Sequence, residues 1–125
     1  MAKRVLLAED EPNIVESLKF LLGRGGFDVT VRTNGREALE TALTDPPDVF
    51  LLDVMLPEID GFEVLKRLRA SQFGMRARVI MLTAKGQREE RDRALAHGAD
   101  LFISKPFSNT DLMRAVTDLA NRQPV

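Results

Sequence analysis

The chain has 125 residues, enough for one domain around one hydrophobic core. Hydrophobic residues make up 44% and charged residues 30%, a balance that excludes an intrinsically disordered chain. Lys and Arg number 18 against 19 Asp and Glu, with no Cys and one His, so a field drawing nucleic acid or anionic lipid, thiolate chemistry and His-cluster metals are all excluded.

The basic start Met1-Ala2-Lys3-Arg4 leads into the apolar run Val5–Ala8. That run is far shorter than the roughly 7–15 residues of a signal-peptide core or the roughly 18 of a membrane span, so a cytoplasmic protein is expected. It reads as a first strand. Ile14, Leu18, Leu21 and Leu22 then recur at helical spacing, with Pro12 where a first turn tolerates it and Gly23 to Gly26 as the stop. Val29–Val31 is the second strand. Ala38, Leu39, Ala42 and Leu43 mark a second helix, ended by Asp45-Pro46-Pro47. Val49–Leu52 is the third strand, and Phe62, Leu65 and Leu68 mark a third helix that Asp60 is placed to cap.

Val79–Leu82 gives the fourth strand. The fourth helix, roughly Gln87 to His97, opens with Arg88-Glu89-Glu90-Arg91-Asp92-Arg93, and only Ala94, Leu95 and Ala96 form its apolar side. Weak anchoring is expected there. Leu101–Ile103 is the fifth strand, and Asn109 to about Arg122 the fifth helix, with Leu112, Met113, Val116, Leu119 and Ala120 on one stripe and Ser108 or Asn109 as cap. The other Met residues lie in apolar runs and are expected in the core. No repeat or linker interrupts the chain, so the domain is expected over 1–122, with 123–125 as a tail or the start of a linker.

Short strands expected to be buried on both faces, alternating with helices, predict a parallel sheet with right-handed crossovers. The expected fold is a single doubly wound (βα)5 domain of the α/β class, flavodoxin-like, with strand order 2-1-3-4-5 and a ligand crevice at the carboxyl ends of strands 1 and 3. The residues at those strand ends are polar: Glu9-Asp10-Glu11 after strand 1, Asp53 after strand 3, Thr83-Ala84 after strand 4 and Lys105-Pro106 after strand 5. Any one of them could simply begin a loop or cap a helix, but together they converge on one rim.

Glu9, Asp10 and Asp53 bring like charges into one small site, and a hard divalent cation such as Mg²⁺ is the natural compensation. With Thr83 and Lys105 nearby, such a site suits a phosphoryl group. A carboxylate can be the nucleophile in that transfer, and Asp53, central in the sheet, is the candidate, with Glu9 and Asp10 left to hold metal.

Leu6-Leu7-Ala8-Glu9-Asp10-Glu11, Leu51-Leu52-Asp53-Val54-Met55-Leu56-Pro57, Asp60-Gly61, Met81-Leu82-Thr83-Ala84 and Lys105-Pro106-Phe107 together resemble the receiver domain of bacterial response regulators. The resemblance spans nearly the whole chain. It implies that a sensor histidine kinase or phosphotransfer protein phosphorylates Asp53. It further implies that Asp10, Asp53 and the Met55 carbonyl hold Mg²⁺, with Glu9 acting largely through a bound water. Thr83 and the Ala84 amide would contact the phosphoryl oxygens, Lys105 would pair with the group, and the Lys105–Pro106 bond would be cis, which an X-Pro bond tolerates. Thr83 and Phe102 would form the switch, and the surface of helix 4, strand 5 and helix 5 would report the state to a downstream output protein or domain. Phe102 lacks the hydroxyl that a Tyr would offer.

Two variable positions flank the site, Met55 and Lys85. A Met side chain cannot orient an attacking water, so a long-lived phosphoryl group is expected. A phosphorylation-dependent homodimer would use the same output surface: Arg91 and Asp111 could pair, but Leu101 and Ala115 stand where charged residues are common. No direct contact with nucleic acid or membrane is expected.

Two other function classes fit parts of the pattern. A phosphohydrolase with an aspartate nucleophile would use the same Asp, Thr and Lys, but little chain is left for a cap domain and no second Asp lies two residues after Asp53. A flavin carrier shares the architecture but would lack Trp and Tyr for stacking. A receiver-like scaffold acting without phosphorylation is a further alternative. His97 reads as a solvated residue at a helix end, and Gly23-Arg24-Gly25-Gly26 follows a helix where a nucleotide loop would open one.

Overall fold

The structure is a computed structural model in which residues 2–71, 77–83 and 88–122 are described. Strands and helices alternate as β1 (Arg4–Ala8), α1 (Pro12–Arg24), β2 (Asp28–Arg32), α2 (Gly35–Thr44), β3 (Val49–Asp53), α3 (Gly61–Ala70), β4 (Arg78–Thr83), α4 (Arg88–Ala96), β5 (Leu101–Ser104) and α5 (Asn109–Asn121). The five strands are parallel and ordered β2-β1-β3-β4-β5, as the sequence predicts.

Side chains alternate across each central strand, and this sorts the core into two layers. Val5, Leu7, Val49, Leu51, Ile80 and Leu82 face α1 and α5, where Leu18, Leu22, Leu112, Val116 and Leu119 cover them. Leu6, Ala8, Phe50, Leu52, Val79 and Met81 face the other way, under Ala38, Ala42, Phe62, Leu65, Leu68 and Ala94 of α2, α3 and α4. Phe50, Leu51 and Leu52 are fully buried, each contributing about 1.5–3 kcal/mol of apolar transfer free energy.

The expectation of strands buried on both faces holds for β1, β3 and β4 but not for the edges. β2 is half-buried at best, and in β5 Leu101 is 37% exposed. Each edge strand lacks a neighbour on one side, and the helix layers centre on the inner three strands. Two smaller expectations also shift. Gly23 lies inside α1, with Gly25 at its C-cap and Gly26 at φ 89° completing the turn. Met55, the second residue of the loop after β3, is exposed and not in the core.

Helix starts are set by caps. Asn34 Oδ1 accepts from the Glu37 amide at 2.8 Å, Asp60 Oδ1 from the Glu63 amide at 2.9 Å, and Ser108 Oγ from the Asp111 amide at 3.3 Å. Ser108, and not Asn109, is therefore the cap of α5. α4 buries only Ala94 among the described residues, in line with its polar sequence; Gln87, the expected first residue, lies outside them. The Arg93 guanidinium lies 4.1 Å over the Phe62 ring and ties α4 to α3. No helix among the described residues is long and apolar enough to cross a membrane.

Candidate functional site

The alternation that sorts the core also aims the polar strand ends. Glu9 continues the face of Val5 and Leu7, Asp53 that of Val49 and Leu51, and Lys105 that of Ile103, so the three reach the rim from the same side of the sheet. Thr83 continues the face of Val79 and Met81, toward α4.

Lys105 joins the two buried carboxylates. Its Nζ donates to Glu9 Oε1 at 2.6 Å and to Asp53 Oδ2 at 3.0 Å. Glu9 is fully buried and Asp53 is 3% exposed. Glu9 Oε2 also accepts from the amides of Asp10 and Glu11 at 3.1 and 3.2 Å, and Asp53 Oδ1 from the Met55 amide at 3.1 Å. No buried side-chain polar atom among the described residues lacks a partner.

Asp10 is exposed at the mouth, and one carboxylate oxygen each from Glu9, Asp10 and Asp53 lies within 4.8 Å of the others. Three carboxylates facing one ammonium leave negative charge without a partner. Burial, then the hydrogen bond and charge of Asp53, push the Glu9 carboxyl up to about 7, against the opposing pull of Lys105 and the Glu11 amide. Burial pulls Lys105 down, but Glu9 and Asp53 outweigh it and raise its pKa. Hard oxygen donors with surplus negative charge fit a divalent cation such as Mg²⁺.

The loop that carries Asp53 is pinned from both sides. The Val54 amide donates to Leu82 O, and the Gly61 amide to Val54 O, both at 2.9 Å. A Cβ at Gly61 would stand 2.3 Å from the Asp53 carbonyl oxygen, so only glycine lets α3 start this close to the site.

The remaining predicted site residues are placed as follows. The Thr83 hydroxyl donates to Glu90 Oε1 of α4 at 2.7 Å, and the Thr83 carbonyl accepts from the Lys105 amide at 2.7 Å. The Lys105–Pro106 bond is cis. Phe102 is half-buried against the core layer of α2, α3 and α4, the side of Thr83. Ala84 and Lys85 lie outside the described residues. His97 and Gly98 end α4, with Gly98 at φ 101°.

Two contacts are absent from the sequence reading: Glu90 as partner of Thr83, and Glu9 as a second partner of Lys105. The second had a signal, since Glu9 and Lys105 share a parity with Asp53 on their strands. The first had none, because α4 lacks an apolar stripe that would fix which of its faces meets the sheet.

The family model for the response regulator receiver domain matches residues 5–117. Over 125 residues the chain is 39% identical to the alkaline phosphatase synthesis transcriptional regulatory protein PhoP of Bacillus subtilis, covering 100% of this chain and 51% of that protein. It is 37% identical over 122 residues to the response regulator MprA of Mycolicibacterium vanbaalenii, covering 98% of this chain and 52% of that one. The chain thus spans about half the length of the curated relatives it matches. Among solved structures, the receiver domain of a Francisella response regulator superposes with a TM-score of 0.90 at 35% identity, covering 96% of this chain and 98% of that one. The receiver domain of the sensor histidine kinase PA1611 from Pseudomonas aeruginosa, with a magnesium ion coordinated in its active-site cleft, superposes with a TM-score of 0.90 at 29% identity, covering 98% and 100%.

Proposed function

Because the chain belongs to the response regulator receiver family, a family of phosphoacceptor signalling domains, we propose that Asp53 is its phosphoacceptor. The observation that carries this reading is the buried Asp53 carboxylate, 3.0 Å from Lys105 and grouped with Glu9 and Asp10. An Asp53 carboxylate oxygen attacks the phosphorus of a phosphohistidine on a sensor histidine kinase or phosphotransfer protein. An O–P bond forms as the P–N bond breaks, and the histidine leaves with the electron pair.

Asp10, Asp53 and the Met55 carbonyl, with Glu9 acting largely through water, would hold Mg²⁺, which when bound spreads the charge of the transferring group. Lys105 pairs with the phosphoryl oxygens, as do the Thr83 hydroxyl and the Ala84 amide. Asp53, Thr83 and Lys105 thus carry the transfer, and the domain acts on its own phosphorylation state and on no other substrate. Neither the phosphohydrolase nor the flavin reading is favoured, since the matches are to receiver domains.

In this reading residues 1–122 form the receiver unit, and it works in the cytoplasm. Phosphorylation repositions Thr83 and Phe102 and alters the α4, β5 and α5 surface. That surface then engages an output domain or protein, or a second phosphorylated copy, with no direct contact to nucleic acid or membrane by this unit.

Borohydride reduction of the chain after treatment with a small acyl phosphate and Mg²⁺, followed by peptide mass analysis, tests the assignment. Reduction at position 53 supports it. Reduction at Glu9 or Asp10 instead would overturn it.

A further inference from the structure

The Thr83 hydroxyl is already engaged on the side of the sheet away from Asp53. Thr83 is 1% exposed and donates to Glu90 Oε1 at 2.7 Å, a length typical of a strong hydrogen bond to a carboxylate. Strand alternation accounts for the direction, since Thr83 follows Val79 and Met81 onto the α4 face while Asp53 follows Val49 and Leu51 onto the opposite one.

A hydroxyl has one proton to donate. Thr83 can give it to Glu90 or to an oxygen above Asp53, and not to both. We propose that Glu90 is a positioning residue that holds the Thr83 hydroxyl toward α4, so that a phosphoryl group on Asp53 competes for its proton and frees the first turn of α4. The proposal deepens the phosphoacceptor reading and rests on it.

Three observations support the assignment. α4 buries only Ala94 among the described residues, so a strong bond near its start adds materially to an attachment that otherwise includes Ala94 and the Arg93–Phe62 contact. Phe102, on the same face as Thr83, has no hydroxyl, so it offers no side-chain hydrogen bond between the rim and the loop after β4. Glu90 is acidic, and a phosphoryl group adds negative charge near Thr83, so repulsion pushes Glu90 in the direction that the lost bond allows.

The test is a cycle of wild type, Glu90→Ala, Thr83→Val and the double variant, read by amide hydrogen exchange across α4 in unphosphorylated protein. Thr83→Val keeps the buried shape while removing the donor, and Glu90→Gln keeps an acceptor oxygen without the charge. Each single variant is expected to speed α4 exchange by about three- to tenfold, the double variant no more than either single, and Glu90→Gln is expected to restore most of the protection. Ala is the better helix former, so an effect of Glu90→Ala confined to helix propensity would slow exchange.

The second readout is the rate of phosphorylation by a small acyl phosphate with Mg²⁺, expected to rise several-fold in Glu90→Ala. Unchanged exchange in Glu90→Ala, additive effects in the double variant, or an unchanged phosphorylation rate would overturn the proposal. A wild-type chain that takes up no phosphoryl group contradicts the phosphoacceptor reading instead, and the exchange cycle in unphosphorylated protein still decides the role of Glu90.

Discussion

Lys105 and Asp53, 52 residues apart in sequence, meet at 3.0 Å at the carboxyl ends of β5 and β3. The same ammonium lies 2.6 Å from Glu9, so its positive charge sits against two of the three carboxylates that could hold a divalent cation. Lys105→Met removes that competing charge and the cation proposed to pair with the phosphoryl group. Mg²⁺ is expected to bind more tightly and phosphorylation by a small acyl phosphate to slow by about tenfold or more. Titration calorimetry and intact mass against time check the two halves separately. Faster phosphorylation in the variant would contradict this role for Lys105.

Glu9 makes the metal-free protein sensitive to pH. Burial raises its carboxyl from the ordinary 4.5 to about 7, so the protonated form is the one that folding favours. The stabilisation is fully present below 4.5 and is lost as pH rises through about 7. Melting temperature without Mg²⁺ is therefore expected to fall across that window more steeply for wild type than for Glu9→Gln, which has no proton to lose. Mg²⁺ favours the ionised carboxylate, so its affinity should weaken as pH drops below about 7. Parallel melting curves for wild type and Glu9→Gln would remove the argument.

Much of this centre was legible in the sequence, because short apolar strands in a βα alternation leave few topologies and polar residues at their ends stand out. Asp53 and Glu9 stand out as carboxylates at the end of one apolar strand and just past the end of another. The edges were less legible: Leu101–Ile103 is as apolar as the central runs and Val29–Val31 is broken only by Thr30, yet their place in the sheet leaves both half-covered. Met55 is apolar but sits 64% exposed in the loop after β3, so residue type alone misplaced it. Glu90 was invisible because a helix that buries a single alanine gives no periodic signal of its orientation.

Met55 lies exposed in the loop beside Asp53, with its backbone amide bonded to Asp53 Oδ1 at 3.1 Å. A thioether cannot hold a water in line with phosphorus, whereas an amide can. Met55→Asn is expected to shorten the lifetime of the phosphorylated form several-fold, measured as the decay of phosphorylated mass after the donor is removed. An unchanged decay constant would show that position 55 does not control hydrolysis.

Arg69 holds the end of α3 to the far end of the sheet. Its guanidinium donates to Ala77 O at 2.6 Å, to Gly98 O at 2.9 and 3.0 Å and to Asp100 Oδ2 at 3.1 Å, and Asp100 Oδ2 also accepts from the Val79 amide at 2.8 Å. Burial lowers the Arg69 pKa and the charge of Asp100 opposes that shift. Arg69→Ala strips partners from two carbonyls and a half-buried carboxylate, with an expected cost of about 1–3 kcal/mol in denaturant unfolding. Because this cluster lies away from Asp53, Mg²⁺ affinity should stay near the wild-type value. A stability change too small to resolve would contradict the role assigned to it.

The most direct test is intact-protein mass after incubation with Mg²⁺ and a small acyl phosphate, for wild type beside Asp53→Ala. The account predicts a gain of one phosphoryl group in wild type and none in the variant. A gain that persists in Asp53→Ala, or none in wild type with Mg²⁺ bound, would contradict it.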